Sequence, residues 1–387
     1  MAELARASET DPRRNRLINL ASGHIVGELD RALRQAALDS WTSGNFSYLG
    51  GPGLDALRDA VIDWLEIGHV RRAEDVLVAP GSRAALSAVL SVVSGPGEVV
   101  LIDAAAWSIF HQLVAVVGAT PVPCRPGPGA ESRWFKLSAM DIRAHLELLP
   151  GVRALVLANP VNNTGQLYTS DELHAIVEEC SAHGVFCIID RVFGKLVFDG
   201  QRFPWLDGSP PVRDWCVLID GPARAFRGAG GIRVGWACGP RDIIEAAATA
   251  QEHGSGPADR VAQRVALAAL RRPFDLSLVD ELQTARDLFV EAAAQLPDAR
   301  TWPIPATMHG VLDLSAYLGS ITPVGWIIDS SSDLADYLLA TEDVLVSPSD
   351  LFGAPGAIRV SFSQPWETIS EGIGRLGDAL ARLRRPR

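Results

Sequence analysis

The residues with the most chemistry to offer are an aspartate that ends an apolar run and arginines set in glycine-rich turns and a late strand. Asp190 closes the run Cys187-Ile188-Ile189, where a carboxylate is costly to bury without a partner. Gly81, Ser82 and Arg83 lie between the apolar stretch DVLVAP and the helical pattern GSRAALSAVLSVVSG. At such a strand-to-helix junction, free backbone N–H groups and the helix dipole can hold a phosphate, although Ser82 would equally serve as an ordinary helix cap. Arg359, in AIRVSFS, presents a planar fork of donors suited to a carboxylate, or it is an exposed strand arginine. The segment DGPARAFRGAGGIRVGW holds Arg224 and Arg233, cations at any working pH and poor nucleophiles. These residues suit the binding of anions.

The surrounding elements have to position them. EVVLID, VRALVLANP, GVFCIID and WCVLID are short, continuous apolar runs that alternate with amphipathic helical patterns such as residues 170–183. Runs of this kind predict an α/β fold, a mostly parallel sheet covered by helices on both faces. From about Gly256 the pattern changes to long helices, then to the strands HGVLDLS and AIRVSFS and a closing helix, which fits a smaller α+β domain. The expected partition is an N-terminal segment (1–45) packing on the small domain, a large α/β domain (46–255), and an interdomain helix with the small domain (256–387). Ligands of open parallel sheets sit beyond the carboxyl ends of the strands, where Asp190 lies.

Composition narrows the function. The 387 residues are 48% hydrophobic and 21% charged, with a formal net charge of −11 and scattered basic residues, which argues against a nucleic-acid partner. The N-terminal MAELARASETDPRRNR has no apolar core and no run reaches the ~18 residues of a membrane span, so neither signal peptide nor membrane is expected and the reading is cytoplasmic. Five widely spaced cysteines read as reduced, buried hydrophobes, and no metal is expected. Only two of the 35 basic residues are lysines, Lys136 and Lys195.

Taken together, NFSYLGGPGLDALRDAV, VAPGSRAAL, DAAAWSIF, LANPVNNTGQLYTSDEL, CIIDRVFGKLVFDG and FGAPGAIRVSFS resemble segments of the class I/II aminotransferases, the fold type I pyridoxal-phosphate enzymes, over nearly the whole chain. The resemblance implies that Gly81, Ser82, Arg83 and Arg233 hold the cofactor phosphate, with Tyr48 reaching it from a neighbouring subunit of a homodimer. It further implies that Trp107 stacks on the pyridine ring, that Asn162 meets the ring oxygen, that Asp190 keeps the ring nitrogen protonated, and that Arg359 grips a substrate carboxylate. On residue type alone, Tyr48 could be a turn residue and Trp107 a core residue.

The departures from that pattern cluster at the cofactor. Arg224 falls where the family has its Schiff-base lysine, Gly221 and Ala223 where it has serines, Phe193 where it has a tyrosine, and Asn163 where it has a proline; the spacing from Arg224 to Arg233 is one residue longer. Arg224 cannot form the covalent link to an aldehyde, and Lys195 and Lys136 are poorly placed to replace it. Pyridoxal phosphate or pyridoxamine phosphate would then be bound noncovalently if at all. Three readings follow. The first is an enzyme of amino-acid or 2-oxo-acid substrates using lysine-independent chemistry, with Arg224 and Asp190 as the catalytic pair. The others are a noncatalytic ligand-binding protein and an ordinary aminotransferase carrying a Lys-to-Arg substitution. GAGGIRVG lacks the following helix and the ribose-binding acid of a dinucleotide site.

Overall fold

The computed structural model describes residues 17–25, 27–47, 49–129, 136–350 and 354–385. A short β1 (Ile18–Asn19) precedes α1 (Arg31–Thr42) and α2 (Asp55–Leu65). The large sheet comprises β2 (Val76–Ala79), β3 (Val99–Asp103), β4 (Thr120–Cys124), β5 (Val152–Ala158), β6 (Phe186–Asp190), β7 (Cys216–Asp220) and β8 (Gly235–Cys238), with α3 (Ser82–Val93) following β2. Its strand order is β2-β8-β7-β6-β5-β3-β4.

The apolar runs are continuous because both faces of this sheet are buried. Leu155, Leu157, Cys187, Ile189 and Leu218 enter one core, while the alternating Val156, Ile188, Val217 and Ile219 enter the other. Strands β3 to β7 pair in parallel, whereas β8 runs antiparallel to both β2 and β7. The one reversal is invisible to an apolar pattern, which reads the same in either direction.

The second lobe is an antiparallel sheet of β9 (Arg300–Thr301), β10 (His309–Asp313), β12 (Ser347–Pro348) and β13 (Ala357–Ser361), beside a short β11 (Val344–Leu345). Helices Ser277–Ala293, Ser331–Glu342 and Trp366–Ala381 share its core with Leu312, Ile358 and Val360. β1 pairs with β11, so the N-terminal segment reaches this lobe. Its helix α1 instead places Leu33 against Val265 and Ala269 of the helix Arg260–Leu270. That helix, within the 256–387 portion read as an interdomain helix and small domain, carries Ala266 into the large-sheet core.

All five cysteines are free and buried. Among the described residues no helix is long and apolar enough to cross a membrane, and no cluster of metal-ligating side chains occurs.

Gly235 explains how the antiparallel strand can lie against the start of α3. A Cβ there would stand 2.2 Å from Ser82 N and 2.6 Å from Gly81 C, backbone atoms that cannot swing aside. Gly235→Ala should therefore destabilise the fold by about 3 kcal/mol, read as a lower urea midpoint at unchanged slope.

Candidate active site

The carboxyl ends of β5, β6 and β7, the start of α3 and the inner strands β10 and β13 of the small sheet surround a cavity of about 300 Å³. Ser82, Arg83, Trp107, Asn162, Asp190, Phe193, Arg224, Arg233 and Arg359 all line it. Gly81 stands directly behind them, and Tyr48 lies outside the described residues.

Gly81, not Ser82, occupies the cap position of α3, and no side chain caps the helix. Ala84 N donates to Gly81 O at 3.0 Å, so the amides that can face an anion at this helix N-terminus are those of Ser82 and Arg83. Gly81 has φ +101°, and a Cβ on it would fall 2.4 Å from Arg233 Nη2, so glycine lets that guanidinium press against the helix start. Arg233 itself is in the left-handed region at φ 58° and donates to Pro80 O and Gly230 O, both at 3.3 Å. A non-glycine residue held there is a small store of strain of the kind that collects at binding sites. The Arg83 guanidinium lies 4.4 Å from the Trp107 ring centre, a cation–π contact on one ring face.

Asp190 is buried at the end of β6, and Val192 N donates to its Oδ1 at 3.0 Å. Burial pushes its carboxyl up to about 7; the Val192 amide opposes this, the nearby Asp220 charge adds to it, and the Arg224 charge pulls back down. Arg224 is half-buried in the short helical turn Pro222–Arg224, 5.7 Å from the Phe193 ring centre, and its Nε has no hydrogen bond. Burial lowers its proton affinity, Asp190 raises it, and Arg83 and Arg233 lower it again.

Arg359 reaches the cavity from β13, and burial brings its guanidinium down to about 10, still charged at neutral pH. Its Nη1 donates to Asn163 Oδ1 at 2.7 Å, and its Nη2 to Ser347 Oγ at 2.9 Å and Ala21 O at 3.1 Å. Asn163 in turn donates to Ala106 O at 2.8 Å, so the residue at the unusual position of the asparagine loop anchors this arginine. Asn162 donates to Asn163 Oδ1 at 3.3 Å.

Sequence reasoning missed His309. It lines the cavity, fully buried, with Nε2 3.2 Å from Ser22 O and Nδ1 without a hydrogen bond. Burial foremost, then Arg359, keeps it well below the usual histidine range and so neutral. A histidine opening the strand HGVLDLS looks like a core residue in sequence; only its meeting with Phe193 and Arg359 marks it. Ala21, Gly23 and His24 of the N-terminal segment also line the cavity.

The charge balance is one-sided: Arg83, Arg224, Arg233 and Arg359 face Asp190, the single acid among the lining residues. Neither lysine is present. Lys195 Nζ lies 3.2 Å from Glu66, over the Trp64 ring, and Lys136 Nζ is paired to Glu172 at 2.7 Å. Such a cavity can hold an anionic ligand and offers a carboxyl that exchanges a proton near neutral pH, but no amine.

Known proteins agree with this architecture. An aspartate aminotransferase of Geobacillus stearothermophilus is 25% identical over 97% of this chain and 94% of its own length. A probable aspartate/prephenate aminotransferase of Aquifex aeolicus is 24% identical over 98% of this chain and 95% of its own. The crystal structure of the Rhizobium meliloti aspartate aminotransferase superposes with a TM-score of 0.90 at 24% identity, covering 98% of this chain and 95% of that one. The Thermus thermophilus aspartate aminotransferase solved with maleate gives 0.85 at 23%, over 98% and 95%. The family described as aminotransferase class I and II matches residues 15–376, and the chain, whose strand ends and helix start enclose the cavity described above, belongs to that family.

Proposed function

We propose that this chain acts on a small amino-acid or 2-oxo-acid substrate by chemistry that needs no lysine, with Arg224 standing where relatives of the same family place their amine. The observation that carries the reading is the pairing, within one cavity, of Arg224 and a near-neutral Asp190, with both lysines elsewhere.

The substrate carboxylate goes to Arg359, whose guanidinium is already held in place by Asn163 and Ser347. A second anionic group goes to the start of α3, between Arg83 and Arg233. That second anion fits the phosphate of pyridoxal or pyridoxamine phosphate, since the uncapped helix start and the Arg233 cradle over Gly81 suit a phosphate. When bound, the cofactor would supply an electron-withdrawing ring. Asn162 and Asp190 would meet its polar edge, and Trp107 its face once Arg83 turns from the ring to the phosphate.

The chain's own residues then divide the work. With Oδ1 held by the Val192 amide, the other oxygen of Asp190 is the group that holds or moves a proton. Arg224 stabilises negative charge as it develops, a role suited to a fixed cation in a desolvated site. Phe193 and Phe110, both lining the cavity, keep water from its apolar surfaces. A homodimer completes the proposal, because the resemblance has Tyr48 reach the phosphate across the subunit boundary; sedimentation at micromolar concentration should show a dimer, and a stable monomer would remove Tyr48 from the site.

Mixing the protein with pyridoxal phosphate, reducing with borohydride and mapping the digest tests the lysine-independent reading. The expected result is saturable binding, seen as a thermal shift, with no pyridoxyl adduct. An adduct on Lys195 or Lys136 would overturn it.

A further inference from the structure

A second cavity, about 540 Å³, lies behind the first at the ends of the same strands. The pleat of the sheet separates the two: Ala158, Pro160, Asp190 and Val192 line the first, whereas Asn159, Ile189 and Arg191 line the second. Consecutive residues of a strand point to opposite faces, so each strand end serves both cavities.

We infer that this second cavity is a binding site for a monoanion with an aromatic or branched apolar body. Three observations carry it. Asn159 is completely buried in its wall; its Oδ1 accepts from Tyr168 N at 2.9 Å, but its Nδ2 has no hydrogen bond. A buried donor left unmet is costly, so this wall is one acceptor short. Next, Arg191, Lys195 and Arg202 line the cavity against Glu66, and Arg191 Nε lies 3.5 Å from Asp220. Three cations to two carboxylates leave one positive charge, which one anionic group matches. Finally, Phe203, Trp205, Leu206, Phe274, Leu276 and Val279 make the rest of the wall apolar. Phe203 packs on the Arg191 guanidinium at 4.6 Å, and Trp205 is 61% exposed at the mouth, open to a ring entering from solvent.

The inference is independent of the function proposed for the first cavity. Calorimetric titration of the full chain with 3-phenylpropanoate tests it, with the neutral 3-phenylpropanamide as control. The carboxylate should bind this cavity, Lys195→Met and Trp205→Ala should each weaken it about tenfold, and the amide should bind at least tenfold more weakly. Lys195 is engaged with an exposed Glu66, so Lys195→Met is expected to fold, checked by an unchanged thermal midpoint without ligand. Arg359→Ala, altered only in the first cavity, should leave this binding unchanged. Binding lost only in Arg359→Ala, equal binding of the amide, or indifference to both Lys195→Met and Trp205→Ala would overturn the assignment.

Discussion

Arg224→Lys is expected to bind pyridoxal phosphate weakly, to stay without the visible absorbance of a covalently attached cofactor, and to show no appreciable transamination with any amino acid. Supplying an amine does not supply the surroundings it would need. The turn Pro222–Arg224 lacks serine hydroxyls, Phe193 provides a ring rather than a hydroxyl, and Arg233 is held in a left-handed conformation against Gly81. A displacement of about 1 Å from productive geometry already costs on the order of a hundredfold in rate. The same variant should lose the native activity about a hundredfold or more, because a lysine cannot reproduce the fork of donors and its charge falls in a different place. Absorbance spectra and half-transamination assays across a panel of amino acids check both. Robust transamination by Arg224→Lys would mean an ordinary aminotransferase disabled at one residue, and the lysine-independent reading would be abandoned.

Asp190→Asn is expected to make the ligand-free protein more stable at pH 8, by on the order of 4 kcal/mol, while abolishing its activity. Burial, more than any neighbour, raises the Asp190 carboxyl to about 7 in the folded state, against about 3.9 in an unfolded chain. A carboxyl raised in this way favours the folded state most at low pH. Its contribution is complete below about pH 4 and is lost as pH rises through about 7, where the buried group must ionise. Asparagine cannot ionise, so the advantage of the variant should be near zero below about pH 4, grow by about 1.4 kcal/mol per pH unit between about pH 4 and pH 7, and level off above pH 7. Asp103, raised to about 7, titrates in the same window but is present in both proteins, whereas Asp220, raised to about 6, interacts with Asp190, so the difference reports Asp190 together with its coupling to Asp220. Urea unfolding of parent and variant from pH 4 to pH 8 measures it. A pH-independent difference would mean that Asp190 is charged throughout, matched by Arg224. Stability gained by removing a group needed for chemistry is the usual trade at an active site.

The sequence by itself determined the elements and the chemical types at the site. Runs such as GVFCIID are apolar at every position because both faces of their strand are buried, so the sheet was readable without coordinates. Asp190 was conspicuous because a carboxylate ending such a run needs a reason, and arginine rather than lysine stands out in the glycine-rich segment because the chain has two lysines, neither near it. What only the tertiary structure decided depends on which distant residues meet. The reversal of β8 leaves no local trace. Arg359 is tied down by Asn163, 196 positions away, and His309 becomes a cavity residue only because β10 brings it to Phe193. Lys195 is drawn behind the sheet to Glu66 and Trp64 because the chain turns after Phe193. The second cavity is the clearest case: the sequence records that Asp190 and Arg191 are neighbours, but it takes the pleat to send their side chains to opposite faces, and the packing of residues 203–206 and 274–279 to leave room beside one of them.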